Sequence, residues 1–227
     1  MPFLPIHDDT KRRWTSTPYV CWGTILVCVL VFIWQSGLDD GRSVASVFSY
    51  GFIPAVFFEH RELADHLVAI PPSATLLTSL FMHGDTWHLI GNMLFLYIFG
   101  DNVEDCCGHF RFAIFYLLTG VIATLTHAYM FENSAAPLIG ASGAISGVLG
   151  GYLMLHPRQR VTALIGFIPL RLPVWIWIGV WFAMQAVAGS GMLGEDNVAY
   201  WAHIGGFVAG VVLIPLLKRD EAKLFGR

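Results

Sequence analysis

From Tyr19 to Gly37 the chain reads YVCWGTILVCVLVFIWQSG, a run with no Asp, Glu, Lys, Arg or His. A helix of that length is about 28 Å long, close to the thickness of a bilayer's hydrocarbon core. Inside lipid each backbone N–H and C=O must find its partner within the segment, so such a run spans as a helix. Further apolar runs follow at roughly 86–103, 110–130, 139–155, 173–189 and 198–217. The charged share supports the same class: it is 13% here, against about 25% in soluble domains. The fold class expected is all-α: a polytopic membrane protein with six transmembrane helices in one bundle and an interfacial segment after the first helix.

The domain organisation follows from these runs. Residues 1–18 form a cytoplasmic N-terminal tail, 19–217 a six-helix membrane domain, and 218–227 a cytoplasmic C-terminal tail. Within the domain, 38–85 is mixed in character, with aromatic, Gly- and Pro-broken stretches such as VFSYGFIPAVFFEHRE that suit the membrane interface. The cluster Lys11-Arg12-Arg13 before an apolar run also describes a signal peptide, but no small-x-small cleavage site follows, so the first helix is retained.

Orientation comes from the basic residues. With the N-terminus inside, six spans place Lys11, Arg12, Arg13, Arg111, Arg158, Arg160, Arg171, Lys218, Arg219, Lys223 and Arg227 on the cytoplasmic side. Only Arg42 and Arg61 lie outside. A net charge of −3 leaves no basic excess to hold phosphates, which argues against nucleic acid as a partner. The cysteines (Cys21, Cys28, Cys106, Cys107) have neither C-x-x-C nor Cys/His metal spacing and read as free thiols. A six-span core without a targeting extension suits a bacterial inner membrane.

Hydrogen-bonding side chains deep in a bilayer are costly, which makes them functional candidates. His88 and Asn92 lie in the second run, Ser142 in the fourth and His203 in the sixth. Counted from the cytoplasmic ends marked by Asp101, His156 and Lys218, all three helices carry their polar group at roughly 20–22 Å. That is about 8–10 Å below the outer surface of a 30 Å core.

Glycines give a means of bringing them together. Gly143, Gly147 and Gly151 recur every four residues after Ser142, while Gly206 and Gly210 stand three and seven residues after His203, on its own face. Such stripes let two helix backbones approach closely in lipid, and packing them together would bring His203 toward Ser142. Taken alone, each feature has a plainer reading. GxxxG stripes glue helices, Ser142 suits a helix cap, and a buried histidine is commonly a hydrogen-bonded helix contact.

Together the residues describe a nucleophile and its base. A serine hydroxyl needs a base to take its proton, and imidazole serves near neutral pH. Ser142 falls in the first turn of its helix, where unpaired backbone N–H groups and the positive end of the dipole suit an oxyanion. His88 and Asn92, at i and i+4, share one helix face and both can donate hydrogen bonds. No acid lies near His203 in sequence, and Asp196 belongs to a loop, so the set reads as a Ser–His dyad.

These motifs resemble the rhomboid intramembrane serine proteases. The carriers are GASG (140–143), AHIGG with Gly206 and Gly210, HLIGN (88–92) and FGDNVEDCCG with Gly100, Glu104 and Gly108, over about 75–217. The resemblance implies an endopeptidase that cleaves transmembrane segments of membrane proteins near the outer face. Ser142 and His203 would be catalytic; His88, Asn92 and the Ser142 N–H would form the oxyanion hole; Glu104 would be structural. It implies neither cofactor nor metal, and as partners transmembrane substrates and the bilayer. It also implies that residues 38–75 form a membrane-inserted loop after the first helix, that Trp175, Trp177, Trp181 and Phe182 mark the side of substrate entry, and that the loop 188–197 caps the site.

Two positions depart from the family. Some members place a tyrosine against the histidine, four residues after the nucleophile, where this chain has Ser146. Some carry a basic residue after Glu104, where this chain has Asp105-Cys106-Cys107. Two other functions fit parts of the pattern: a silent rhomboid-like protein that binds transmembrane segments, and a zinc-dependent hydrolase using His83, His88 and His203. The second lacks H-E-x-x-H and a carboxylate ligand. His83 and His127 otherwise read as interfacial or loop-stabilising residues.

Overall fold

The computed structural model describes residues 3–189 and 199–226. A strand β1 (Leu4–Asp8) precedes the helices α1 (Tyr19–Ser36), α2 (Asp40–Tyr50), α3 (Pro54–Phe57), α4 (Thr75–Thr78) and α5 (Thr86–Phe95). A π-turn at Leu96–Gly100 carries α5 into α6 (Asp101–Cys107). Then come α7 (His109–Met130), α8 (Ser142–Leu155), the strands β2 (Arg160–Ile165) and β3 (Ile168–Pro173), α9 (Val174–Gly189) and α10 (Tyr200–Leu217). Among the described residues, α1, α7 and α10 are long and apolar enough to cross a membrane. The rod Thr86–Cys107, bent by 79° from Asp65–Phe81, adds a fourth with that segment. The other two, α8 and α9, are apolar but shorter.

The shortness of α8 matters. Its 14 residues make a rod about 21 Å long, against a hydrocarbon core of about 30 Å. Every residue from Gly143 to Tyr152 is buried, because α8 stands at the centre with α7 and α10 packed on it. A helix in that position has little room for side chains. A Cβ added to Gly206 of α10 would lie 3.0 Å from the carbonyl carbon of Gly143, and one on Gly210 would lie 2.7 Å from that of Gly147. Both would be closer still to the oxygens.

The sequence pattern aimed the Gly143–Gly147–Gly151 face at α10, and here the structure differs. A Cβ on Gly143 would meet Ala123 at 2.7 Å and one on Gly151 would meet Phe115 at 2.9 Å, while Gly147 faces Thr119, all three on α7. The bare Cα face of α8 therefore seats α7. Its carbonyl edge, left accessible by the same missing side chains, receives the glycines of α10.

Acidic groups tie the N-terminal segment to the lower end of the bundle. Glu104, fully buried, accepts hydrogen bonds from the N–H groups of Val20 (3.0 Å) and Cys21 (2.7 Å) in the first turn of α1, and bonds the ring of His109. Those N–H groups have no partner within their own helix. Asp105 accepts from the N–H groups of Arg13 (2.7 Å) and Trp14 (2.8 Å), and from Thr15. The acid that replaces the family's basic residue thus has an anchoring position of its own.

Within 1–18, Leu4–Asp8 pairs with β2, which in turn pairs with β3, giving a three-stranded antiparallel sheet. The sequence pattern marks 1–18 as a tail and gives no sign of this strand. Phe3 is buried between Phe95 (ring centroids 5.8 Å) and Trp177 (4.7 Å). The Asp8 carboxylate accepts from Tyr152 (2.8 Å) and Asn102 (3.0 Å). Burial pushes the Asp8 carboxyl above its usual range, against the pull of hydrogen bonds from Tyr152 and Thr10.

At the opposite end, the segment 38–85 is tied to the approach to α8. Phe52 and Leu138 exchange backbone hydrogen bonds at 3.0 and 2.7 Å, and the Gly140 N–H donates to Ser79 O at 2.9 Å.

The close contact between α8 and α10 is testable by thermal unfolding in detergent. Gly210→Ala lowers stability by about 1–3 kcal/mol, the usual cost of overpacking, and Gly210→Val by more. Gly23→Ala, within α1 at a position with nothing within 4 Å, does not lower the midpoint, since alanine is the better helix former. Equal midpoints for Gly210→Val and the unsubstituted chain would contradict the contact.

Candidate active site

Ser142 opens α8, directly after Gly140 and Ala141. Gly140 has φ +125°, a conformation that favours glycine, and a Cβ there would lie 2.9 Å from Nε2 of His88. The chain thus turns into α8 against the imidazole of His88, with Ser142 only partly buried. His88 itself is set by Asp85, the N-cap of α5, whose carboxylate accepts its N–H at 2.9 Å.

From α10, His203 meets the serine. Its Nε2 lies 2.9 Å from Ser142 Oγ, and its ring is buried at 9% exposure. The pair sits immediately above the glycine contact, with Ser142 one residue before Gly143 and His203 three before Gly206. A serine and an imidazole in this geometry can pass a proton from oxygen to nitrogen as the oxygen attacks an electrophile.

Asn92 follows His88 by one turn on α5. Its side chain is buried at 1%, and neither Oδ1 nor Nδ2 has a partner. A buried amide without a hydrogen bond is expensive, so its donors are available to a bound oxygen. His83 is buried as well, with both ring nitrogens unpartnered and its ring 5.3 Å from that of His88. It therefore lies in the interior beside His88 rather than at an interface. His127 is half-buried, and its Nδ1 is also without a partner. Among the described residues, no three His, Cys, Asp or Glu side chains group as a metal site.

Gln185, which the sequence reading passes over, and Trp181, which it assigns to substrate entry, both flank His203. Gln185 of α9 brings Oε1 to 2.7 Å from His203 Nδ1, and Trp181, one turn earlier, packs its ring at 6.0 Å. Ser146, in the place of the family's tyrosine, instead donates back to Ser142 O at 2.6 Å and never reaches the histidine. The signal was present: Gln185 is the single non-apolar side chain in VWIWIGVWFAMQAV (174–187).

Of the aromatic residues assigned to substrate entry, Trp177 and Trp181 are buried and Phe182 packs on Phe207 at 4.6 Å. Only Trp175 is exposed. Of the expected capping loop 188–197, residues 188–189 belong to the end of α9, and 190–197, with Asp196, lie outside the described residues.

Residues 73–220, more than half of the chain, match the Rhomboid domain family model. The chain belongs to the rhomboid family. That family is one of integral membrane proteins, and it includes intramembrane serine proteases as well as members without that activity. Similar proteins include Rhomboid-like protein 11, chloroplastic, of Arabidopsis thaliana, 34% identical over 63% of this chain and 52% of the relative. Rhomboid protease GluP of Bacillus subtilis is 32% identical over 67% of this chain and 27% of its own length. Rhomboid protease GlpG of Salmonella newport is 26% identical over 86% and 61%. The chain spans about half the length, or less, of most of the curated relatives it matches.

If Ser142 is activated by its neighbour, a fluorophosphonate probe labels it in the detergent-solubilised protein, and His203→Ala slows that labelling by about 10²-fold or more, the usual range for a general base. Labelling that persists at the same rate in His203→Ala would contradict the activation.

Proposed function

We propose that this rhomboid is an intramembrane serine endopeptidase that cleaves transmembrane segments of membrane proteins near the outer face of the bilayer. The observation that carries this reading is the 2.9 Å approach of His203 Nε2 to Ser142 Oγ at the upper end of a short, buried helix. Six helices cross the membrane, with both termini on the cytoplasmic side, as the distribution of Lys and Arg implies.

In the reaction, Ser142 Oγ attacks the carbonyl carbon of the scissile peptide while His203 Nε2 takes the hydroxyl proton. The carbonyl oxygen becomes an oxyanion, held by the Ser142 N–H at the start of α8 and by the donors of Asn92 and His88. His203 then gives its proton to the departing amine, leaving an acyl-enzyme on Ser142. A water molecule, deprotonated by the same imidazole, releases the acid and restores the serine. No charged side chain has to be buried permanently in lipid for this cycle, because the dyad is neutral at rest.

The reading extends to the aromatic face of α9. Its outward Trp175 and the short span of that helix suit the side on which a substrate helix arrives, with the inward Trp181 standing beside the imidazole.

The test is cleavage of a panel of single-span model substrates by the purified chain in detergent. The unsubstituted protein yields two fragments from a subset of the panel, and Ser142→Ala and His203→Ala yield none. Asn92→Ala lowers kcat by about 10²–10³-fold, the usual loss for one oxyanion donor, with a melting midpoint near that of the parent. Cleavage that survives Ser142→Ala would remove the proposed activity; unchanged kcat in Asn92→Ala would remove only that donor.

A further inference from the structure

We propose that Gln185 is the positioning residue for His203: its side-chain carbonyl holds the imidazole in the tautomer and orientation that leave Nε2 free to accept from Ser142. This rests on the protease reading. The argument is one of proton inventory. Oε1 of Gln185 has no hydrogen to give, so the 2.7 Å contact with Nδ1 requires Nδ1 to be the donor. A neutral imidazole carries one ring proton, so Nε2 is then bare, and the 2.9 Å contact with Ser142 Oγ is an O–H donated to nitrogen. The other tautomer would set two lone pairs against each other at Nδ1, and would donate Nε2–H to Ser142 Oγ, leaving no lone pair there to take the hydroxyl proton.

The packing leaves this role to Gln185. The titratable side chains facing His203 are His88 from α5 and His127 from α7, both imidazoles, and among the described residues no carboxylate takes the place an aspartate fills in soluble serine proteases. Trp181, one turn before Gln185 on α9, packs beside the ring, with centroids 6.0 Å apart. An amide in an otherwise apolar helix is costly unless it is bonded, and this one is spent on the histidine. The bond also couples position to chemistry: movement of α9 away from α10 releases the imidazole.

The test compares Gln185→Leu and Gln185→Glu with the parent in full-length protein, measuring kcat, KM and the pH profile of cleavage of one transmembrane substrate. Gln185→Leu keeps the volume and removes the acceptor; kcat falls about 10-fold or more, part of the 10²–10⁴ that a positioned base supplies, while KM stays within about 2-fold. Gln185→Glu restores the acceptor and adds negative charge, which favours the imidazolium, so activity recovers and the acid limb of the profile moves to higher pH. Parent-like kcat in Gln185→Leu, or an unmoved acid limb in Gln185→Glu, overturns the proposal. If Gln185→Leu fails to fold, the acid limb of Gln185→Glu decides alone. Cleavage persisting in Ser142→Ala or His203→Ala, run alongside, would instead refute the protease reading, so the two failures are distinguishable.

Discussion

Gly206 and Gly210 rest on the carbonyl edge of Gly143 and Gly147, and this backbone contact sets the separation of the two helices that carry Ser142 and His203. The lever between contact and chemistry is short: one residue on α8 and one helical turn on α10. Helix association in lipid draws little from the hydrophobic effect and depends instead on close packing, which small residues permit. Glycine in a helix costs about 1 kcal/mol relative to alanine. That loss is tolerable where any side chain would push the helices apart and lengthen the 2.9 Å approach beyond hydrogen-bond range.

The second constraint is depth. With 14 residues, α8 is about 21 Å long, shorter than a hydrocarbon core of about 30 Å, and its first turn carries both the hydroxyl and unpaired backbone donors. Polar side chains gather at that level from several helices: Asn92 and His83 buried without partners, His88 against Gly140, Gln185 on the far side of His203. The lower end is built differently, from carboxylates that fasten the N-terminal segment and α1 to the helix that carries His88 and Asn92. Carboxylates with several hydrogen bonds each hold one end of the molecule, while at the other Asn92 and His83 are buried without partners. An uncharged amide behind the histidine fits the same economy, since a carboxylate at that depth would need a counter-charge.

Much of this was legible in the sequence, for a physical reason. Apolar length reports helices directly in a membrane protein, so α1, α7 and α10 begin and end within two residues of the expected runs. The i, i+4 spacing of Gly206 and Gly210 likewise reports a flat helix face. Other features depend on what the chain meets far away. Leu4–Asp8 finds its partner in β2, more than 150 residues on, and nothing local marks it. The β2–β3 hairpin carries a local sign, a glycine at the turn of ALIGFIPL that adopts φ +61°. The glycine face of α8 was given to α10 because spacing tells which residues share a face, not which neighbour covers it. Gln185 is not legible beside His203 in sequence, because the acceptor is an uncharged amide on a different helix rather than a nearby acid.

The central claim is that Ser142 and His203 stand within bonding reach of each other. The most direct test is a reagent that acylates a serine and, once attached, unmasks an electrophile able to alkylate an adjacent imidazole. After treatment and proteolysis, mass spectrometry should find the fragments containing Ser142 and His203 joined through one molecule of reagent. Reagent attached to Ser142 alone, with His203 unmodified at saturation, would contradict the account.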